Sequence, residues 1–273
     1  MSFNPVVPFG GYVGWSFLSR TMEKQQATFH SSAPIQRDEV YFREKIAQIS
    51  SAEDLISDRR LLRIALGAFG LDADINSGFF IRKVLEEGTL SQDSLANKLA
   101  DKSYLALSKA FGFGDYTSPR TAQPDFAETI LAQYRERQFE IAVGDKHESL
   151  RLVMVAKREL PEIATKAMSE DGKWFTMLGS APLRSVIETA LGLPSSFVAI
   201  DLDQQVMALR EKADAVFGSP DPAVFAEPAK LDKLLKLYLL RSEAATSGGS
   251  GQSAALQILR SSGQSSGVLS ILL

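Results

Sequence analysis

Few residues in this chain could do chemistry, and their spacing argues against most of what they could do. Asp72, Asp74 and Asn76 resemble the opening of a calcium loop, in which oxygens at alternate positions ligate the ion. The sixth position of such a loop is Ser77, where the turn needs glycine, and the twelfth is Lys83, where a bidentate glutamate belongs. These residues read instead as caps for a helix that starts near Ser77. His147 and Glu148 begin like a zinc-protease helix, but Arg151 stands where the second histidine should come. His30, the other histidine, is far away in sequence, and the chain has no cysteine, which removes thiolate metal sites, disulfides and thiol nucleophiles together. Gly248, Gly249 and Gly251 follow no predicted strand and lack the Gly-Lys-Ser/Thr ending that cradles phosphate, so they read as a linker. The carboxylates are many, yet no pattern sets two of them on an apolar wall as acid–base catalysis requires. The expectation is of a non-enzyme that holds neither metal nor cofactor.

Composition narrows the partners. Lys plus Arg number 30 against 33 Asp plus Glu, a net charge of −3, so the positive field that draws proteins to nucleic acid is missing. No apolar run approaches the roughly 20 residues a membrane helix needs, and membrane insertion is not expected. Residues 1–12 carry Pro5, Pro8, Gly10 and Gly11 without a basic start and apolar core, so no cleaved secretory signal is read there. A cytoplasmic protein, at least as synthesised, is the expectation. At 273 residues and 45% hydrophobic the chain can bury one large core or two ordinary ones.

The elements that would position any site are helical. Apolar residues recur at helical spacing over residues 14–31, 36–49, 61–69, 77–87, 92–100, 102–111, 125–143, 148–167, 181–191, 201–217 and 230–244. Ser50 or Ser51 ahead of Glu53 and Asp54 marks a further start, with a hydroxyl cap and acids in the first turn. Gly70, Gly88 and Gly112 sit where helices should end. Pro161 should kink or split its helix by removing a backbone donor. Strand-like alternation is confined to residues 197–200. The fold class is therefore all-α.

Two stretches resemble each other. Residues 21–29 (TMEKQQATF) lie beside 134–142 (YRERQFEIA), and 61–71 (LLRIALGAFGL) beside 182–193 (PLRSVIETALGL), with the order of elements kept. We read a multi-helix array of two repeated four- to five-helix units, residues 14–113 and 125–245. A flexible leader (1–13) precedes them, a Gly/Pro-rich connector (114–124) joins them, and a flexible Ser/Gly tail (246–273) follows. The tail bears the candidate partner-binding residues Leu256, Ile258 and Leu259, then Val268, Leu269, Ile271, Leu272 and Leu273, too apolar to remain in water without something to dock on. Whether it docks on its own chain or on a partner stays open, and the leader is a second docking candidate. Trp174 and Phe175 near Arg184 could line a pocket between the units, although aromatic residues beside a helix start are more often core.

The run IALGAFGLDADINSGFFIRKVLEEGTLSQDSLANKLADKSYLALSKAFGFGD resembles the family described as domain of unknown function 1217, with its Ala-Phe-Gly-Leu, Phe-Ile-Arg-Lys-Val-Leu-Glu and Ala-Asp-Lys-x-Tyr blocks in order. The likeness extends over residues 15–245. It implies an alphaproteobacterial protein of a family whose genes often lie among flagellar genes and which has no established catalytic activity. Its partners would be proteins, flagellar components or a second copy of itself. The expectation is a non-enzymatic flagellar assembly or structural protein, flagellum-associated or exported through the flagellar apparatus. A small-ligand carrier or enzyme with a pocket between the units is the alternative.

Overall fold

The computed structural model describes the backbone of residues 3–263 and side chains up to Thr246. It is 77% helical, with thirteen α-helices and no strand among the described residues. The first is α1 (Gly11–His30), followed by α2 (Ala33–Lys45) and the short α3 (Ala52–Ser57). A reciprocal capping box starts α3: Asp54 N–H donates to Ser51 Oγ, and Ser51 N–H donates to Asp54 Oδ2. Asp58 ends α3 and caps α4 (Arg59–Phe69), its Oδ1 accepting from the Arg60 and Leu61 amides at 3.0 Å.

From residue 61 onward α4 buries every side chain except Arg63, as its wide apolar arc predicts. Gly70 closes it in the left-handed conformation, φ +73°, and Leu71 N–H donates back to Leu66 O. A 3-10 turn, Asp72–Asn76, leads into α5 (Gly78–Glu87). The helix expected over 92–100 shrinks to α6 (Leu95–Lys98), because the Asn97 amide donates to Thr89 O, Ser91 O and Ser94 Oγ and holds the preceding segment in turns. The half ends with α7 (Ser103–Phe111).

The segment read as a connector is exposed at Tyr116 and pinned at its end, where buried Thr121 donates from Oγ1 to Ile49 O at 2.6 Å. Two long helices follow, α8 (Phe126–Gly144) and α9 (Glu148–Thr165). Pro161 does not split α9. The carbonyl it leaves without a donor belongs to Lys157, an exposed position where water can serve. Next comes α10 (Glu170–Gly179), a helix the sequence pattern hides behind Gly172 and Gly179. It is capped by Ser169 Oγ, which accepts from Gly172 N–H. Then follow α11 (Ala181–Leu191), a 3-10 turn at Ser195–Ala199 where the short alternation suggested a strand, α12 (Leu202–Phe217) and the 36-residue α13 (Pro228–Gly263).

The two halves run in parallel order. In each, an 11-residue helix (α4, α11) ends on a left-handed glycine (Gly70, Gly192), and a five-residue 3-10 turn leads to the next helix. The most extensive helix pairings are α4 with α8 and α11 with α13, so each of the two 11-residue helices is covered by a long helix later in the chain. One apolar core runs from Val7 to Leu239 through both halves, joined by edge-on aromatic pairs Phe29–Phe139 and Phe111–Phe126 at 5.6 and 5.1 Å. No helix among the described residues is long and apolar enough to cross a membrane.

Candidate functional site

Where α7, α8, α9 and α11 converge, the interior turns polar. Arg137 and Glu140 lie on one face of α8, three residues apart, and Arg158 and Glu159 come from α9. Arg158 donates from Nε and Nη2 to the two oxygens of Glu140, both at 3.0 Å. Its Nη1 donates to Glu159 Oε1 at 3.0 Å, and the same oxygen accepts from Arg137 Nη2 at 3.1 Å. One carboxylate oxygen thus ties two guanidiniums together. Burial works against the charge on Arg158, but the bonds to Glu140 and Glu159 outweigh it and raise its pKa. Arg137 goes the other way, because burial and the nearby Arg158 lower it.

Two small adjoining cavities flank this cluster, about 140 and about 110 Å³, both bordered by Asp101, Ser103, Arg137, Glu159 and Ser180. They lie where the first half (Asp72, Asp101, Ser103) meets the second (Arg137, Glu159, Ser180). Each is well below the roughly 300 Å³ at which pockets for larger organic ligands begin. Asp72 sits at the edge of the smaller one; burial raises its pKa, while Gln138 Nε2 donates to its Oδ1 at 3.3 Å. Neither the Ser103 nor the Ser180 hydroxyl meets a base here. His30 lies instead beside Arg135 and Glu39, and His147 Nε2 lies 3.1 Å from Val7 O. The carbonyl can only accept, so this nitrogen carries the proton.

The calcium-like residues separate in the structure and do not cap α5. Asp72 accepts from Gln138, Asp74 Oδ2 from the Tyr104 hydroxyl at 2.7 Å and Asn76 Oδ1 from Arg59. Ser77 stands before α5 without a side-chain cap bond. The turn ties α4, α7 and α8 together.

A second feature is the N-terminal edge. Gln25, buried in α1, grips Val6 at both backbone groups: Val6 N–H donates to its Oε1 at 2.7 Å, and its Nε2 donates to Val6 O at 3.0 Å. With His147 on Val7 O and the Val7 side chain buried, the segment is held at two successive residues, and apolar side chains on it and on the first turn of α1 face outward. Val6, Phe9, Tyr12 and Val13 are 54, 61, 38 and 63% exposed. Residues 3–10, read in the sequence as part of a leader, are thus tied to α1 and to the start of α9.

Of the partner-binding candidates chosen from sequence, Leu256, Ile258 and Leu259 fall on the later part of α13, where side chains lie outside the described residues. Val268, Leu269, Ile271, Leu272 and Leu273 also lie outside the described residues. Trp174 lines neither cavity. It is 0% exposed, donates from Nε1 to Pro220 O at 3.1 Å and packs edge-on to Phe225, so it is core. Sequence reasoning missed Gln25, which looks solvated until the N-terminal segment is laid on α1, and Arg137, Glu140, Arg158 and Glu159, which look like ordinary solvated helix faces until α8 is laid on α9. The signal that could have raised two of them is the repeated block in which Gln25 lies beside Gln138 and Lys24 beside Arg137.

A solved structure from Agrobacterium tumefaciens, determined as a structural-genomics target, resembles the chain with a TM-score of 0.70 and 25% identity, over 88% of this chain and 98% of that one. No curated protein matches. The family model described as "Protein of unknown function (DUF1217)" matches residues 68–231, a span that takes in the cleft from Asp72 to Ser180. By that match over more than half its length, the chain belongs to the DUF1217 family.

Proposed function

We propose that this chain is a non-enzymatic protein of the bacterial flagellar system, acting in assembly or structure through protein–protein contacts. The observation that carries the contact role is the N-terminal edge, where Gln25 holds the backbone of Val6 and the side chains of Val6, Phe9, Tyr12 and Val13 face water. An apolar row exposed on a pinned segment is ready to bind without ordering itself first. The flagellar setting rests on the family resemblance alone, which implies a gene that often lies among flagellar genes. Residues 246–273 are the second docking element in this reading, and export through the flagellar apparatus is its localisation branch.

The test is a chromosomal replacement of Phe9 and Val13 by serine, scored by swimming and by co-purification of tagged protein from crosslinked cells. Loss of both flagellar partners and motility, with the purified variant still folded, is the expected result. Normal swimming in a full deletion strain would remove the flagellar role. Mass spectrometry of purified basal bodies and of culture medium separates a resident from an exported protein.

The second reading, a small-ligand carrier, draws on the cleft between the halves.

A further inference from the structure

We infer that the cleft between α7, α8, α9 and α11 binds a small oxyanion, a carboxylate or phosphate held by Arg137. Most polar groups at this cleft that could repel an anion are already engaged. Glu159 accepts from Arg137 and Arg158, Glu140 is held at both oxygens by Arg158, Asp72 accepts from Gln138, and Asp101 Oδ1 accepts from Ser103 N–H at 2.8 Å. Glu162, exposed at the rim, is the carboxylate without a bond.

The donors are not spent. Arg137 uses Nη2 alone, so its Nε and Nη1 meet no acceptor among the described residues, yet neither is sealed from the cavities. Among the described residues Lys166 makes no ion pair and the Ser103 and Ser180 hydroxyls donate to no partner, and Lys166 borders the larger cavity. Ser103 opens α7 and Ser180 precedes α11, helices of 9 and 11 residues whose first turns add partial positive charge on the same side. A half-buried guanidinium with two idle donors, its pKa lowered by desolvation and by the adjoining Arg158, is relieved by an added negative charge. The volume, about 140 Å³, admits an ion of acetate or phosphate size.

Because the cleft's wall comes from both halves of the chain, an occupant would bridge them. The inference stands apart from the flagellar reading and is tested on purified full-length protein. Inorganic phosphate and sodium acetate are titrated separately, at constant ionic strength, into ¹⁵N-labelled protein, with sodium chloride as the control. Saturable shifts of the Ser103, Tyr104, Ala181 and Leu183 amides with one of the oxyanions, absent with chloride, are expected, and whichever oxyanion binds more tightly identifies the class. Arg137→Gln should weaken binding by about tenfold or more, as loss of charge-assisted bonds implies. Should that variant fail to fold, Lys166→Gln, on an exposed side chain, must still weaken it measurably. No saturable shift with either ion, or shifts that both folded variants leave unchanged, would overturn the inference.

Discussion

Arg158 lies flat against Glu140, Nε and Nη2 each 3.0 Å from a different carboxylate oxygen, and Glu140 is 3% exposed. Breaking such a pair costs more than the pair contributes, because one charge is left behind in the interior. Arg158→Met should lower the unfolding free energy by about 3–5 kcal/mol. Adding Glu140→Gln should recover part of that loss. Urea unfolding of the two single variants and the double variant reads the coupling directly, and additive losses would mean that the pair is not linked as described.

Gly70 and Gly218 permit a controlled comparison. Both are left-handed, at φ +73° and +78°, so an alanine at either carries a conformational cost of about 1–2 kcal/mol. A methyl on Gly70 would also lie 2.5 Å from Arg137 Nη1, whereas one on Gly218 meets nothing within 4 Å. Gly70→Ala should therefore be the more damaging in thermal melts, and equal losses would separate Gly70 from the Arg137 cluster.

His30 is kept neutral by burial first and by the neighbouring Arg135 second, with Glu39 opposing. Its folded pKa is lowered, so an unfolded chain takes up the proton more readily, and stability falls as pH drops below about 6.5. His30→Gln should flatten that part of the stability–pH curve. With only two histidines in the chain, NMR titration of the ring protons, assigned by substitution of His147, locates the transition.

Tyr238, buried and close to Glu148, has its pKa raised to about 12. The neutral phenol is what the fold prefers, so this contribution is intact below pH 10 and disappears as pH rises towards 12. Burial also raises Tyr104 and Tyr134, so absorbance at alkaline pH should show one fewer late-appearing tyrosinate in Tyr238→Phe than in the native protein.

The helices were legible where apolar spacing, caps and glycines agreed. Ser51 with Asp54, the apolar face of α4 and the stops at Gly70 and Gly112 are local signals that packing did not override. Packing or polar side chains decided the rest. Asn97 turned a nine-residue helical pattern into α6, and Gly172 masked α10 although Ser169 supplied its cap. The charged cleft was illegible for another reason. Arg137 and Glu140 at a spacing of three, like Arg158 beside Glu159, occur on any exposed helix, and only the placement of α8 against α9 takes them out of water. The parallel order of the halves supports the duplication suggested by the sequence, and we propose it as the origin of the fold.

Gln25→Ala should free the N-terminal segment without unfolding the protein. The variant is expected to lose about 1–2 kcal/mol and to expose residues 5–10 to limited proteolysis, and the Val6 amide should lose its protection from hydrogen exchange. A Val6 amide that stays protected would show that the segment is held by other means.

That grip has a consequence for how the protein can change. Gln25 reads the main chain of residue 6 and ignores its side chain, which stands 54% exposed. Any residue except proline, which lacks the amide hydrogen, can be held in the same way. The displayed surface can therefore drift or be re-selected at position 6 while the scaffold beneath it keeps its stability, so related chains can share the anchor and differ in what they present.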